Sequence, residues 1–178
     1  MKFYRCRICG EVYMGTARPS NCPHCGAKSK YLVDAAEWTD ENVGVELTGL
    51  SRSNLEKALQ LEVNNAPFYR DAASKAKTGE LQAIFKALGK IEAEHASAIR
   101  KLIGGEFPHP SVDAEKATDD DVENLRLAHS REKFAATFYA LSAAHAVEPR
   151  VKVVFHALSE IESDHINLEE DVMDRVNE

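Results

Sequence analysis

Beyond Leu50 the apolar positions recur at the spacing of helices, and the pattern breaks in three places. The periodicity predicts a first helix that begins near Ser51 or Ser53, with a serine as N-cap, and runs to about Lys77, where KTGE turns the chain. A second helix spans about Glu80 to Ile103 and stops at Gly104 and Gly105. The stretch GGEFPHPSVDAEKAT, from Gly104 to Thr118, is too broken by Gly and Pro to be helical and makes a long connection. A third helix covers about Asp119 to Ala146, VEPR turns the chain, and a fourth runs from about Pro149 to Val176 with proline at or near its first position. Pro67 has no N–H to give the first helix, which predicts a local kink.

Short, long and short connections between four helices describe a mainly α fold, a ferritin-like four-helix bundle with one crossover. The N-terminal part is written differently, in short β-prone pieces such as KFYRC and EVYMG punctuated by Cys and Gly. This predicts a small metal-stapled module. The division is residues 1–34 for the module, 35–50 for a polar linker without clear period, and 51–178 for the bundle. Such a linker would let the two parts be placed independently.

At 178 residues the chain can build one principal core and a small satellite. With 44% hydrophobic and 29% charged residues, the composition is that of a globular protein, and no apolar run approaches the roughly 20 residues of a membrane span. The first residues, MKFYRCRICG, lack the apolar core of a signal peptide, so the expected location is the cytoplasm. A net charge of −7 with no basic stripe argues against nucleic acid as a partner.

The second helix pair repeats the first at an offset of seventy residues, without a gap. Leu55 falls on Leu125, Ala58 on Ala128, Phe68 on Phe138, Phe85 on Phe155 and Leu88 on Leu158, as shared helix packing would require. Packing does not require the polar coincidences: Glu62 with Glu132, Tyr69 with Tyr139, Glu92 with Glu162, and His95 with His165. Taken singly, any of the Glu or His residues reads as well as a solvated Glu or a satisfied His as it does as a ligand. Together they give each half a Glu on its first helix and Glu-x-x-His on its second.

Residues three apart share a helix face and rise about 4.5 Å along the axis, so each Glu-x-x-His pair can reach one metal ion. Four carboxylates and two imidazoles would hold two divalent ions, in the donor set of dimetal carboxylate proteins of ferritin-like fold. Glu106 and His109 also read Glu-x-x-His, but in the Pro-rich connection, and are given no role. Tyr69 and Tyr139 follow their Glu by two helical turns and are expected to hydrogen-bond the ligands from behind.

All four cysteines lie within the first 25 residues, as Cys6 and Cys9 in CRIC and Cys22 and Cys25 in CPHC. Two such knuckles bring four thiolates around one tetrahedral ion, iron or zinc. His24 is surplus to that site.

The stretches YRCRICGEVYMG and CPHCGAKSKYL resemble the rubredoxin-like domain of rubrerythrins, and the repeated helices resemble their ferritin-like di-iron domain. The order is reversed from that of most rubrerythrins, whose rubredoxin part is C-terminal. The resemblance implies that Cys6, Cys9, Cys22 and Cys25 hold one electron-transfer iron. It implies a catalytic di-iron site with Glu62 and Glu132 as terminal ligands, Glu92 and Glu162 bridging, and His95 and His165 each completing one iron. It further implies reduction of hydrogen peroxide to water, a redox donor such as a rubredoxin or an NAD(P)H-dependent reductase, and a head-to-tail homodimer or larger homo-oligomer in which electrons cross between subunits.

One departure bears on activity. Rubrerythrins carry a further Glu three residues after the third-helix ligand, where this chain has Ala135, and its repeat partner Asn65 supplies no carboxylate. The symmetric six-ligand set is closer to that of bacterioferritins. Oxygen reduction or iron oxidation therefore stands as an alternative, and a zinc-ribbon adaptor stands behind both.

Overall fold

The computed structural model describes residues 1–111 and 115–176. Three short strands and four long helices follow in chain order. Strands β1 (Lys2–Cys6), β2 (Val12–Gly15) and β3 (Leu32–Asp34) form an antiparallel sheet in the order β2-β1-β3, with Phe3 opposite Met14 and Cys6 opposite Leu32. Helices α1 (Gly49–Lys75) and α2 (Gly79–Ile103) pack as one hairpin, and α3 (Asp121–His145) and α4 (Pro149–Val176) as another.

The helix ends follow their capping chemistry. Helix α1 begins two residues before Ser51, because Thr48 is the N-cap and accepts from the Ser51 N–H at 3.3 Å. The Ser51 hydroxyl is engaged elsewhere, donating to Glu148 at 2.5 Å. Asp120 caps α3 by accepting from the N–H groups of Val122 and Glu123. Gly104, with φ of 77°, closes α2 as the Gly-Gly pair foretold. Helix α1 runs through Pro67 without interruption, so the proline removes one hydrogen bond and does not end the element.

Two apolar clusters form the interior. One joins Ile8, Cys25 and Leu32 of the small module to Ile99, Leu102, Val154, Leu158 and Ile161 of the bundle. The other lies farther along the bundle and includes Phe68, Leu81, Phe85, Leu125 and Val172. Because the first cluster spans module and bundle, the two parts share one core.

The 35–50 segment differs from the expected free linker. Trp38 donates to the Cys6 carbonyl at 3.1 Å and Asn42 to that of Ile8 at 3.0 Å. Glu41 receives Arg7 at 2.7 Å and Arg150 at 2.9 Å, the latter from α4. Up to the start of α1 at Gly49 the segment carries no regular element, yet these side chains tie it to both neighbours. Among the described residues, no helix is long and apolar enough to cross a membrane.

Candidate metal centres

The cysteine centre grows from two tight turns. Strand β1 delivers Cys6, and the chain reverses after each knuckle at Gly10 and Gly26, whose φ values of 88° and 78° favour glycine. All four cysteines are free thiols and buried. The Cys6 and Cys25 sulfurs stand 3.8 Å apart, as do those of Cys9 and Cys22. That separation is far beyond a disulfide bond, and it is the tetrahedral edge expected of thiolates about 2.3 Å from one shared ion. The N–H groups of Ile8 and Glu11 point at Cys6 Sγ (3.4 Å) and Cys9 Sγ (3.5 Å), as suits sulfurs bearing negative charge. Hydrogen bonding with Cys25 holds the Cys22 thiol far below its ordinary range, while Cys22 pushes those of Cys9 and Cys25 up. A bound cation ends that contest, because a coordinating thiol is deprotonated outright.

The second centre lies in the bundle. Glu62 on α1, Glu92 and His95 on α2, and Glu162 on α4 place donor atoms within 4.8 Å of one another. Glu92, Glu132 on α3, Glu162 and His165 form a second such group. All six predicted residues are thus brought together, and the two groups share Glu92 and Glu162. Five of the six are wholly buried, and His165 is 6% exposed.

Metal is the partner this arrangement lacks otherwise. Glu62 Oε2, Glu92 Oε1, both Glu162 oxygens, Glu132 Oε2 and the Nδ1 atoms of His95 and His165 are buried with no hydrogen-bond partner. Burial, followed by the charges of Glu62, Glu132 and Glu162, raises the Glu92 carboxyl well above its usual range. Burial and Glu162 push Glu132 up to about 7. Burial also opposes a charge on either imidazole, but the carboxylates outweigh it, raising His95 and bringing His165 up to about 10. Four converging carboxylates call for positive charge, which two divalent ions supply without remainder.

Tyr69 and Tyr139 serve the opposite hairpin. Tyr69, on α1, donates to Glu132 on α3, and Tyr139, on α3, donates to Glu62 on α1. Asn65 donates to Glu92 Oε2 at 3.4 Å and accepts from Arg131 at 3.0 Å, so it holds a cage carboxylate from outside. Its repeat partner Ala135 is buried and apolar.

Glu169 is the residue that sequence reasoning missed. It lies one turn beyond His165 on α4 and is fully buried, with Oε1 3.2 Å from the Tyr69 hydroxyl. Burial and the Glu132 charge push its carboxyl up to about 9. The repeat partner is the core residue Ile99, and a Glu at a position whose twin is a fully buried Ile was the available signal. Glu106 and His109 join no metal-binding group among the described residues, and His24 stays outside the cysteine centre.

The centres meet inside one chain. His95 Nδ1 faces the carboxylates, 3.3 Å from Glu162, while its Nε2 lies 3.0 Å from the Cys25 carbonyl oxygen. Lys101 of α2 donates to the Cys9 carbonyl at 2.7 Å. From α4, Glu160 receives Lys30 at 2.6 Å and Tyr31 at 3.1 Å, and Asp164 pairs with Lys28.

The sequence pattern of the rubrerythrin family matches residues 53–173, and that of the rubrerythrin rubredoxin-like domain matches residues 4–32. The chain belongs to the rubrerythrin family. Within it, the rubredoxin-like domain precedes the ferritin-like bundle, as the sequence predicts. Reverse rubrerythrin-1 of Clostridium acetobutylicum is 32% identical over 115 residues, covering 58% of this chain and 63% of that relative. A hypothetical protein from Pyrococcus furiosus shares the fold, with a TM-score of 0.60 and 22% identity over 70% of this rubrerythrin and 88% of its own chain. The four-cysteine set and the carboxylate–histidine cage are those of a rubredoxin-type iron and a di-iron site.

Proposed function

We propose that this chain is a non-haem di-iron peroxidase, reducing hydrogen peroxide to water with electrons relayed through its rubredoxin-type centre. The observation that carries this reading is the contact between His95 and the Cys25 carbonyl. It places a one-electron centre one hydrogen bond from a ligand of a two-metal cage. The balance is H2O2 + 2 e− + 2 H+ → 2 H2O. Held by the carboxylate–histidine cage, a pair of irons would supply the two electrons that cleavage of the O–O bond requires, and an iron held by the four cysteines would supply one-electron exchange.

The chain's own residues do the rest. Glu92 and Glu162 belong to both donor groups and would be shared between the two irons, while Glu62 and Glu132 would each serve one of them. Tyr139 and Tyr69 fix those outer carboxylates through their hydroxyls. The apolar residues around the cage exclude bulk water, which strengthens each of these interactions. A small redox protein or an NAD(P)H-dependent reductase would deliver electrons to the module, and four free thiols fit a reducing compartment such as the cytoplasm.

A second reading, oxygen reduction coupled to iron oxidation, is favoured by buried Ala135 where a further carboxylate is usual. Peroxide consumption by the iron-loaded, chemically reduced protein tests the first. Peroxide is expected to disappear without oxygen release, and Glu92→Gln to abolish the reaction. Oxygen consumption that outpaces peroxide consumption would favour the second reading.

A further inference from the structure

With its donors sealed from water except at one edge of His165, the cage needs a route for its oxidant. A groove of about 240 Å³ lies between α1 and α2 beneath the proline-rich connection. Buried Glu62, Ala66 and Ala96 make its floor, while exposed Arg70, Ala93 and Phe107 make its rim. The floor is the cage wall itself, for Glu62 is a cage donor with Oε2 unpartnered, and Ala96 adjoins His95.

The groove's chemistry selects its traffic. Its walls are mostly apolar, and its rim carries the cation Arg70, which disfavours passage of a metal ion. Pro67, in the same wall, has no N–H for the Val63 carbonyl one turn earlier, so an otherwise apolar surface offers a hydrogen-bond acceptor. A water molecule's share of liquid volume is about 30 Å³, so the groove has room for several molecules the size of water or hydrogen peroxide.

The geometry points to this α1/α2 groove as the path by which a small uncharged oxidant, of the size and polarity of hydrogen peroxide, reaches the Glu62 side of the cage. The inference rests on the di-iron reading above. Ala66 and Ala96 are small side chains in the floor, and Phe107 stands at the mouth, its ring 4.9 Å from the Arg100 guanidinium.

Nitric oxide, a small neutral ligand of ferrous iron, reports access without turnover. Stopped-flow mixing with the iron-loaded, reduced protein should show binding about tenfold slower in Ala93→Trp, which fills the rim and forces an opening step. Phe107→Ala, which clears the mouth, should bind faster than the parent at equal iron content, and it keeps the test open if Ala93→Trp fails to load iron. Parent rates in both variants would overturn the groove and place the path at the exposed edge of His165. Groove-dependent nitric oxide binding in a protein that does not consume peroxide would overturn the peroxidase reading alone.

Discussion

The Nε2 atom of His95 lies 3.0 Å from the carbonyl oxygen of Cys25 in the same chain. A path of covalent bonds and one hydrogen bond thus joins a thiolate of the cysteine centre to the dimetal cage. Gly26 follows Cys25 with φ of 78°, and a Cβ there would stand 3.0 Å from Ile161 Cγ2. Gly26→Ala is expected to cost roughly 1–2 kcal/mol and to push the module off α4. Stopped-flow reoxidation should then show slower electron passage at unchanged iron content in both sites.

The same contact predicts that one chain is a complete redox unit. Mixing and reassembling Cys22→Ser chains with Glu92→Ala chains should restore no peroxide reduction, since neither chain then holds both centres. Recovery of a large part of the parent rate would show electrons crossing between subunits, as in the head-to-tail arrangement.

The crossed tyrosines predict a shared effect on metal retention. Tyr139→Phe leaves Glu62 without its donor, and Tyr69→Phe does the same to Glu132. Each is expected to weaken iron binding by roughly 10- to 100-fold, the usual result of removing a hydrogen bond from behind a ligand. Iron titration of both variants checks this, with little change expected at the cysteine centre.

Glu169 is a buried carboxyl standing where the first hairpin has Ile99. Glu169→Leu should raise the thermal stability of the metal-free protein, by roughly 1–3 kcal/mol, because it removes a buried carboxyl whose Oε2 has no hydrogen-bond partner. A fall in stability would mean that its contact with Tyr69 outweighs the burial.

Glu148 joins the α3–α4 turn to the start of α1 by accepting from the Thr48 N–H at 2.6 Å and the Ser51 hydroxyl at 2.5 Å. Burial works against ionisation, but these hydrogen bonds hold the carboxyl down to about 2, from an ordinary 4.5. The folded value is the lower one, so the contribution is fully present above the ordinary value and is lost as pH falls through the folded one. After solvent screening it amounts to about 1 kcal/mol. Glu148→Gln should flatten that limb of the acid-unfolding curve and leave stability at pH 7 lowered.

The helices and the cage residues were legible because each leaves a local or repeated trace. Apolar spacing marks the helices, and a seventy-residue offset shows polar residues that packing does not need. What lay hidden was asymmetric or distant. Glu169 has no acidic twin, so comparing halves passed over it. The crossed pairing of Tyr69 with Glu132 depends on how the hairpins face each other, and the anchoring of Trp38, Glu41 and Asn42 joins residues with no shared period. The first cap fell at Thr48 because Glu148, almost a hundred residues away, claims the Ser51 hydroxyl.

The most direct test of the account is an anaerobic titration of the fully reduced, iron-loaded protein with hydrogen peroxide, following the visible absorption of the ferric thiolate centre. The account predicts prompt return of that colour, faster than with dissolved oxygen and slowed by Gly26→Ala. A centre that stays colourless while peroxide is added, or that recovers only with oxygen, would contradict it.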